Sequence, residues 1–270
     1  MRVWVLGSGS RGNAVLLESA GSRVLVDAGF HPSVMQQRLA RAGVAPESIE
    51  AVVLTHEHTD HVKGAAASSK RWGWAVYATA GTTTGTPSLG DADVRTFECG
   101  GTVTLSRMNV QAVRTPHDAA ESVALVATSH GSGARVGVAY DLGAATSPIR
   151  AALRDLDVLV LEANHDEGML RCGPYPPSVR ERIASRFGHL SNGAAADLAA
   201  QSAHAQLGHV VLAHLSENCN DPKIARKTVA DALKPTRFRG AVDAASQDRV
   251  TGPYVPRRRA AAAVQLGLGL

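Results

Sequence analysis

Thr55-His56-Glu57-His58-Thr59-Asp60-His61 follows directly on the apolar run Ala51-Val52-Val53-Leu54. That run is of strand type and ends where the lone-pair donors begin. Residues two apart in an extended backbone point the same way, so His56 and His58 can close on one ion. Asp60 and His61 fall at the following turn and can face a second ion. Imidazole and carboxylate are the donors a borderline divalent metal takes. A polar loop with accidental histidines does not explain this spacing. The stretch predicts a metal-dependent hydrolase.

The pattern His-x-His-x-Asp-His resembles the signature of the metallo-β-lactamase superfamily. That resemblance implies a four-layer αβ/βα sandwich with metal ligands on loops at one edge of two facing sheets. It also implies an Asp at a strand end before the motif, a later lone His, a bridging Asp and a last His. Arg23-Val24-Leu25-Val26-Asp27 supplies the first, a support for the metal loop, and Arg114-Thr115-Pro116-His117 the second. Gly137-Val138-Ala139-Tyr140-Asp141 supplies the third and Val210-Val211-Leu212-Ala213-His214 the fourth. By the resemblance His56, His58 and His117 hold one divalent ion, Asp60, His61 and His214 hold the other, and Asp141 bridges them. Such a cluster keeps net positive charge, which favours an anionic substrate such as a phosphodiester and lowers the pKa of a bridging water. Zinc is the expected metal, and manganese or iron would accept the same donors. No cysteine falls at a ligand position, so β-lactamases with a cysteine ligand fit poorly.

A finer resemblance is to the YycJ/WalJ group. It rests on Leu6-Gly7-Ser8-Gly9-Ser10-Arg11-Gly12-Asn13, Glu162-Ala163-Asn164-His165-Asp166, Gly188-His189-Leu190-Ser191-Asn192 and His214-Leu215-Ser216-Glu217-Asn218. It runs from Arg2 to Ser246 and implies a cytoplasmic bacterial protein. Some members of the group are described as 5′ to 3′ exonucleases on double-stranded DNA linked to mismatch repair. The chain departs from the group at Tyr140, where a small hydroxyl residue is expected, and at the Thr-rich stretch Thr79 to Thr86. Glu162 and His189 further resemble an acid and a histidine of the transfer-RNA 3′-processing nucleases, which would put His189 beside the scissile phosphate. Asp60, His189 and Glu162 are thus the candidates for the catalytic step. The alternative for His189 is packing before a helix capped by Ser191. His165 is a weaker candidate for substrate contact.

Gly7-x-Gly9-x-x-Gly12 also spells a dinucleotide fingerprint, which works only where a helix starts at the loop. The runs Ala14 to Glu18 and Arg23 to Asp27 around Gly21-Ser22 read instead as a hairpin. The loop either presents N–H groups to a phosphate or is a tight turn, so Ser8, Ser10 and Asn13 are candidate substrate contacts. His31, His130, His204 and His209 read as turn and cap residues.

Three cysteines at spacings that match no zinc module, and the lack of a charged-then-apolar leader, point to a reducing cytoplasm. No apolar run approaches the roughly 18–20 residues that span a bilayer. Residues 1–250 read as one catalytic domain and 251–270 as a mobile basic and Ala-rich tail. Helices are expected over Pro32 to Gly43, Asp60 to Arg71, Ser147 to Arg154, Pro177 to Phe187, Ser191 to Ala205 and Asp221 to Leu233. A formal charge of +4 suits a polyanionic partner. Arg180 and Arg182 are candidate groove residues. With only 4% aromatic residues, reading of a duplex backbone fits better than base stacking, for which Trp72, Trp74 and Tyr175 are the candidates. The leading expectation is a duplex-DNA exonuclease. Next comes a hydrolase of small substrates (a cyclic phosphodiester, a thioester or a β-lactam as a side activity), then a metal-bearing binding protein without catalysis.

Overall fold

The computed structural model describes residues 1–257. The first half contains β1 (Arg2–Gly7), β2 (Ala14–Ser19), β3 (Ser22–Val26), α1 (Pro32–Arg41), β4 (Ala51–Val53), α2 (Thr59–Val62), α3 (Ala65–Trp72), β5 (Ala75–Ala78), α4 (Ala80–Gly85) and β6 (Val94–Thr96). The second half opens with β7 (Thr102–Thr104), β8 (Met108–Arg114), β9 (Val123–Ser129), β10 (Arg135–Ala139), α5 (Ser147–Ala152) and β11 (Val158–Glu162). It continues through α6 (Glu167–Arg171), α7 (Pro177–Ala184), α8 (Asn192–Ser202), β12 (His209–Ala213), α9 (Pro222–Leu233) and β13 (Ala241–Ala244). The last strand, β14 (Thr251–Tyr254), returns to the first half.

The strands form two sheets, ordered β14-β1-β2-β3-β4-β5-β6 and β13-β12-β11-β10-β9-β8-β7. Alternation along β4 shows how the layers arise. Ala51 and Val53 enter a core between the sheets, while Val52 and Leu54 enter a second core under α1 and α3. A third core lies between the other sheet and α5, α8 and α9. This is the αβ/βα sandwich that the sequence implies.

Three local features differ from the sequence reading or decide between its alternatives. The glycine-rich loop feeds the hairpin β2–β3, turned at Ala20 (φ 47°) and Gly21 (φ 89°), so no helix dipole faces it. The helix expected over Asp60 to Arg71 is split into α2 and α3. A Cβ on Gly64 would lie 1.8 Å from the Phe30 carbonyl, and the Gly64 N–H donates to the Ala28 carbonyl at 2.8 Å. That close approach straps the metal-motif loop to the loop after β3. Finally, Thr251–Tyr254 is an edge strand on β1, not tail. Tyr254 packs into the central core. Pro253 obscured the strand in sequence, but an edge position tolerates it. The tail residues 258–270, with Arg258 and Arg259, lie outside the described residues. Among the described residues no helix is long and apolar enough to cross a membrane.

Candidate metal centre

The site sits at the C-terminal ends of the strands. β3 leads to Asp27, β4 to His56 and His58, β8 to His117, β10 to Asp141, β11 ends at Glu162, and β12 leads to His214. Asp27, Asp141 and His214 hold left-handed backbone, with φ of 62°, 55° and 53°. Such conformations cost free energy in non-glycine residues, and they turn each side chain sharply back across its strand end.

The two expected ligand sets are two of four overlapping groups of close donors among the described residues, the others being His56, His61 and Asp141, and Asp141, Glu162, His189 and His214. Donor atoms of His56, His58 and His117 lie within 4.8 Å of one another, as do those of Asp60, His61 and His214. Asp141 joins them, its Oδ2 lying 2.9 Å from His61 Nε2 and 3.9 Å from His56 Nε2. His56 Nε2 and Asp141 Oδ2 are buried and without hydrogen-bond partners. A buried imidazole nitrogen without a partner, 3.9 Å from a buried carboxylate oxygen, is costly unless something cationic lies between them. The donors are imidazole nitrogens and carboxylate oxygens, and Cys99, Cys172 and Cys219 stand outside the clusters. Orphaned atoms and donor chemistry both fit divalent metal binding.

The polar groups behind the clusters fix their orientation. Asp27 Oδ1 accepts from the Thr55 N–H at 2.8 Å, and its Oδ2 from Thr55 Oγ1 at 2.8 Å and His61 Nδ1 at 2.7 Å. The Tyr140 hydroxyl also donates to Oδ2, at 2.7 Å. His61 is thereby locked with Nε2 toward Asp141. Burial, and then the charge of Asp27, hold the Tyr140 phenol well above its ordinary pKa, so it remains a neutral donor. Ser8 and Asn13 also belong to this supporting layer, contrary to their expected contact with substrate. Both are buried, at 4% and 0% exposure. Ser8 Oγ accepts from the His214 N–H and donates to Asn13 Oδ1, each at 2.8 Å, while Asn13 Nδ2 donates to Asp60 Oδ2 at 3.1 Å. Their short side chains turn inward because the loop is closed onto β1 and the His214 strand end. Ser10 alone of the three lines the cavity over the metal clusters.

Tyr140→Phe removes one donor from a buried carboxylate and little else. Zinc affinity of the metal-free protein is expected to fall about 10–100-fold, the usual loss for such a supporting partner. Calorimetric titration with Zn²⁺ checks this, and unchanged affinity would assign Tyr140 to packing alone.

His189 and Glu162 meet beside the clusters. His189 Nδ1 lies 2.7 Å from Glu162 Oε1 and 3.2 Å from Asp141 Oδ1. Burial opposes charge on His189, but Glu162 and then Asp141 outweigh it and hold its pKa well above the usual value. Burial likewise opposes charge on Glu162, yet the neighbouring His189 lowers its pKa to about 2. Both shifts favour an imidazolium–carboxylate pair in the metal-free protein, with His189 on the cavity wall. His165 is not on that wall; it is buried, and it bridges to Ser191 through backbone. Of the two expected groove arginines, Arg182 lines the cavity and bonds Asp118 at 2.5 Å. Arg180 turns instead to the Arg171 carbonyl.

Residues 22–215 match the family model of the β-lactamase superfamily domain, and the chain belongs to that superfamily. Exodeoxyribonuclease YycJ of Bacillus anthracis is 30% identical over 259 residues, covering 94% of this chain and 96% of its own. Exodeoxyribonuclease WalJ of Streptococcus pneumoniae serotype 2 is 30% identical over 239 residues, covering 85% of this chain and 87% of its own. Likeness of this extent places the chain with the YycJ and WalJ proteins within the superfamily. The solved structure of the metallo-β-lactamase fold protein YhfI from Bacillus subtilis shares the fold. Its TM-score is 0.69 at 18% identity, over 93% of this chain and 99% of its own.

Proposed function

We propose that the chain is a metal-dependent phosphodiesterase that degrades duplex DNA from a 5′ end, with two divalent ions, zinc by preference, in the paired clusters. One observation carries the reading: two His/Asp clusters meet at Asp141 in one cavity beside the His189–Glu162 pair. The exodeoxyribonuclease names of relatives matching nearly the whole chain support the choice of substrate.

Bound there, the ions would polarise phosphoryl oxygens and lower the pKa of the attacking water. The chain's own residues do the rest. His56, His58 and His117 would hold one ion, Asp60, His61 and His214 the other, with Asp141 between. Asp27, Tyr140, Ser8 and Asn13 keep those donors aimed. Glu162 holds the Nδ1 proton of His189, so Nε2 is left to face a phosphate oxygen or the leaving group. Asp60 lines the same cavity and would help to hold its ion and accept a proton from the attacking water.

The two clusters should load differently with pH. Burial, and then the charge of His61, push His56 well below its usual pKa, and burial lowers His117, so these nitrogens are neutral. Burial opposes charge on His61 and His214 too, but Asp141 foremost raises both, His214 from 6.5 to about 9. A raised histidine stabilises the metal-free fold fully below its unfolded pKa of 6.5 and loses that contribution as pH climbs through about 9. Metal must displace those protons, so affinity for the second ion is expected to rise about tenfold per pH unit per proton released, up to that range. The first ion should respond little. Zinc titrations at several pH values, with proton release measured in buffers of differing ionisation heat, check this.

The test of function is metal-loaded protein on a 5′-labelled duplex beside a small chromogenic phosphodiester. Progressive release from the 5′ end is expected. Raising salt from about 50 to about 200 mM should weaken binding by about 10³-fold if six phosphates are contacted. Efficient turnover of the small ester with no DNA cleavage under any metal would select the small-substrate hydrolase instead.

A further inference from the structure

Helix α7 has no buried residue, and its apolar Val179 and Ile183 join none of the three cores of the described residues. Eight residues do not hold a helix in water by propensity. This one is tied down from outside. Arg182 bonds Asp118, and the His189 N–H donates to the Ile183 carbonyl at 2.9 Å. Gly188 permits that docking, since a Cβ there would lie 2.2 Å from the Arg182 carbonyl and 2.3 Å from that of Ile183.

The helix thus spends its packing on holding a position over the metal centre. Val179, Arg182 and Ile183 stand at i, i+3 and i+4 and share one face. All three line the same cavity as His58, Asp60 and His189, as does Tyr175 one turn earlier. The Tyr175 hydroxyl accepts from Asn218 Nδ2 at 2.9 Å, which fixes the ring on the loop that follows His214. The cavity is therefore lined both by ionic groups and by the apolar Val179 and Ile183 with the Tyr175 ring. At about 230 Å³ the space is on the scale of one small group, below the range of ordinary small-molecule sites.

We propose that the Tyr175–Val179–Ile183 face seats a single unpaired nucleoside, the one attached to the phosphate at the metal centre, with Arg182 contacting that phosphate. The proposal rests on the nuclease reading and adds a requirement to it: the terminal base pair of a duplex must open before the cut. A mismatched or already single-stranded end avoids that unpairing cost.

The experiment compares two esters with the same leaving group, thymidine 3′-(4-nitrophenyl phosphate), whose nucleoside joins the phosphate through its 3′ oxygen as a 5′-terminal nucleoside does, and methyl 4-nitrophenyl phosphate. The wild-type protein should favour the nucleoside ester in kcat/KM by about tenfold or more, the size of a base stacked on an aromatic ring. Tyr175→Ala and the double variant Val179→Ala, Ile183→Ala should bring that ratio toward one, and Tyr175→Phe should restore it. On 5′-labelled duplexes, a mismatched terminal pair should be released about tenfold faster than a matched one. A 2-aminopurine at the 5′ terminus of a short single strand, where it starts largely unstacked, should lose fluorescence on stacking in the seat of His189→Ala protein, a readout that does not depend on the wall variants folding. An unchanged ester ratio in variants of native thermal stability, or an unquenched terminal base, overturns the seat while DNA cleavage leaves the nuclease reading standing. No cleavage of either duplex or of the nucleoside ester overturns both.

Discussion

Asp141→Asn is expected to strip the centre of metal and to lower turnover by at least about 10³-fold. The carboxylate touches four imidazoles. Its Oδ1 lies 3.2 Å from His189 Nδ1 and 3.3 Å from His214 Nδ1, and its Oδ2 lies 2.9 Å from His61 Nε2 and 3.9 Å from His56 Nε2. Asparagine keeps the size and tolerates the left-handed backbone at this position (φ 55°), so the fold should survive. The negative charge does not survive, and the amide turns N–H groups toward space that suits a cation. His58→Ala is the matched control: it removes a donor from one cluster only and should cost one ion. Metal analysis of the purified variants decides the matter. Full metal content in Asp141→Asn would remove Asp141 from the bridging position.

How much of this was legible in sequence follows from the range of each interaction. The metal motif is local, because an extended backbone brings His56 and His58 to one side within three residues, and the turn into α2 carries Asp60 and His61. Asp27, His117, Asp141 and His214 were legible through the superfamily resemblance, each at or just beyond the end of a strand-like run, where loops at a sheet edge begin. Of the supporting layer only Asp27 was legible. Tyr140 meets Asp27 across 113 residues, and Ser8 meets His214 across 206. In sequence Tyr140 appears only as a departure from the expected small residue. Nor does a Ser in a glycine-rich loop reveal whether it faces a phosphate or a buried N–H. Helix α7 has the composition of a solvated face, rich in arginine, and its placement depends on Gly188 and Asp118 outside it. The split between α2 and α3 had a signal, Gly64, but the reason for it lies in the Phe30 loop.

His189→Ala should reduce turnover by about 10²–10⁴-fold, the usual range for a positioned acid or electrostatic group, with little change in metal content. The side chain reaches the cavity wall with 21% exposure, and the helix that follows does not depend on it, being capped by Ser191 Oγ accepting from the Ala194 N–H. What the side chain adds is a proton held where charge develops. Glu162 is fully buried and also accepts from the backbone N–H groups of Leu142 and Leu190, so it stays fixed when His189 is removed. The loss should therefore fall on kcat more than on KM, because a hydrogen bond to a phosphoryl or leaving oxygen strengthens as charge builds there. His189→Gln would keep a neutral donor and should recover only part of the rate. Leaving-group dependence separates the two roles. If Nε2 protonates the leaving oxygen, the defect should shrink with 4-nitrophenol, which departs without a proton, and stay large with an alkoxide. A defect of equal size for both leaving groups assigns His189 to stabilising the phosphoryl oxygens. A parallel loss of thermal stability and rate would instead return it to the role of a packing residue ahead of α8.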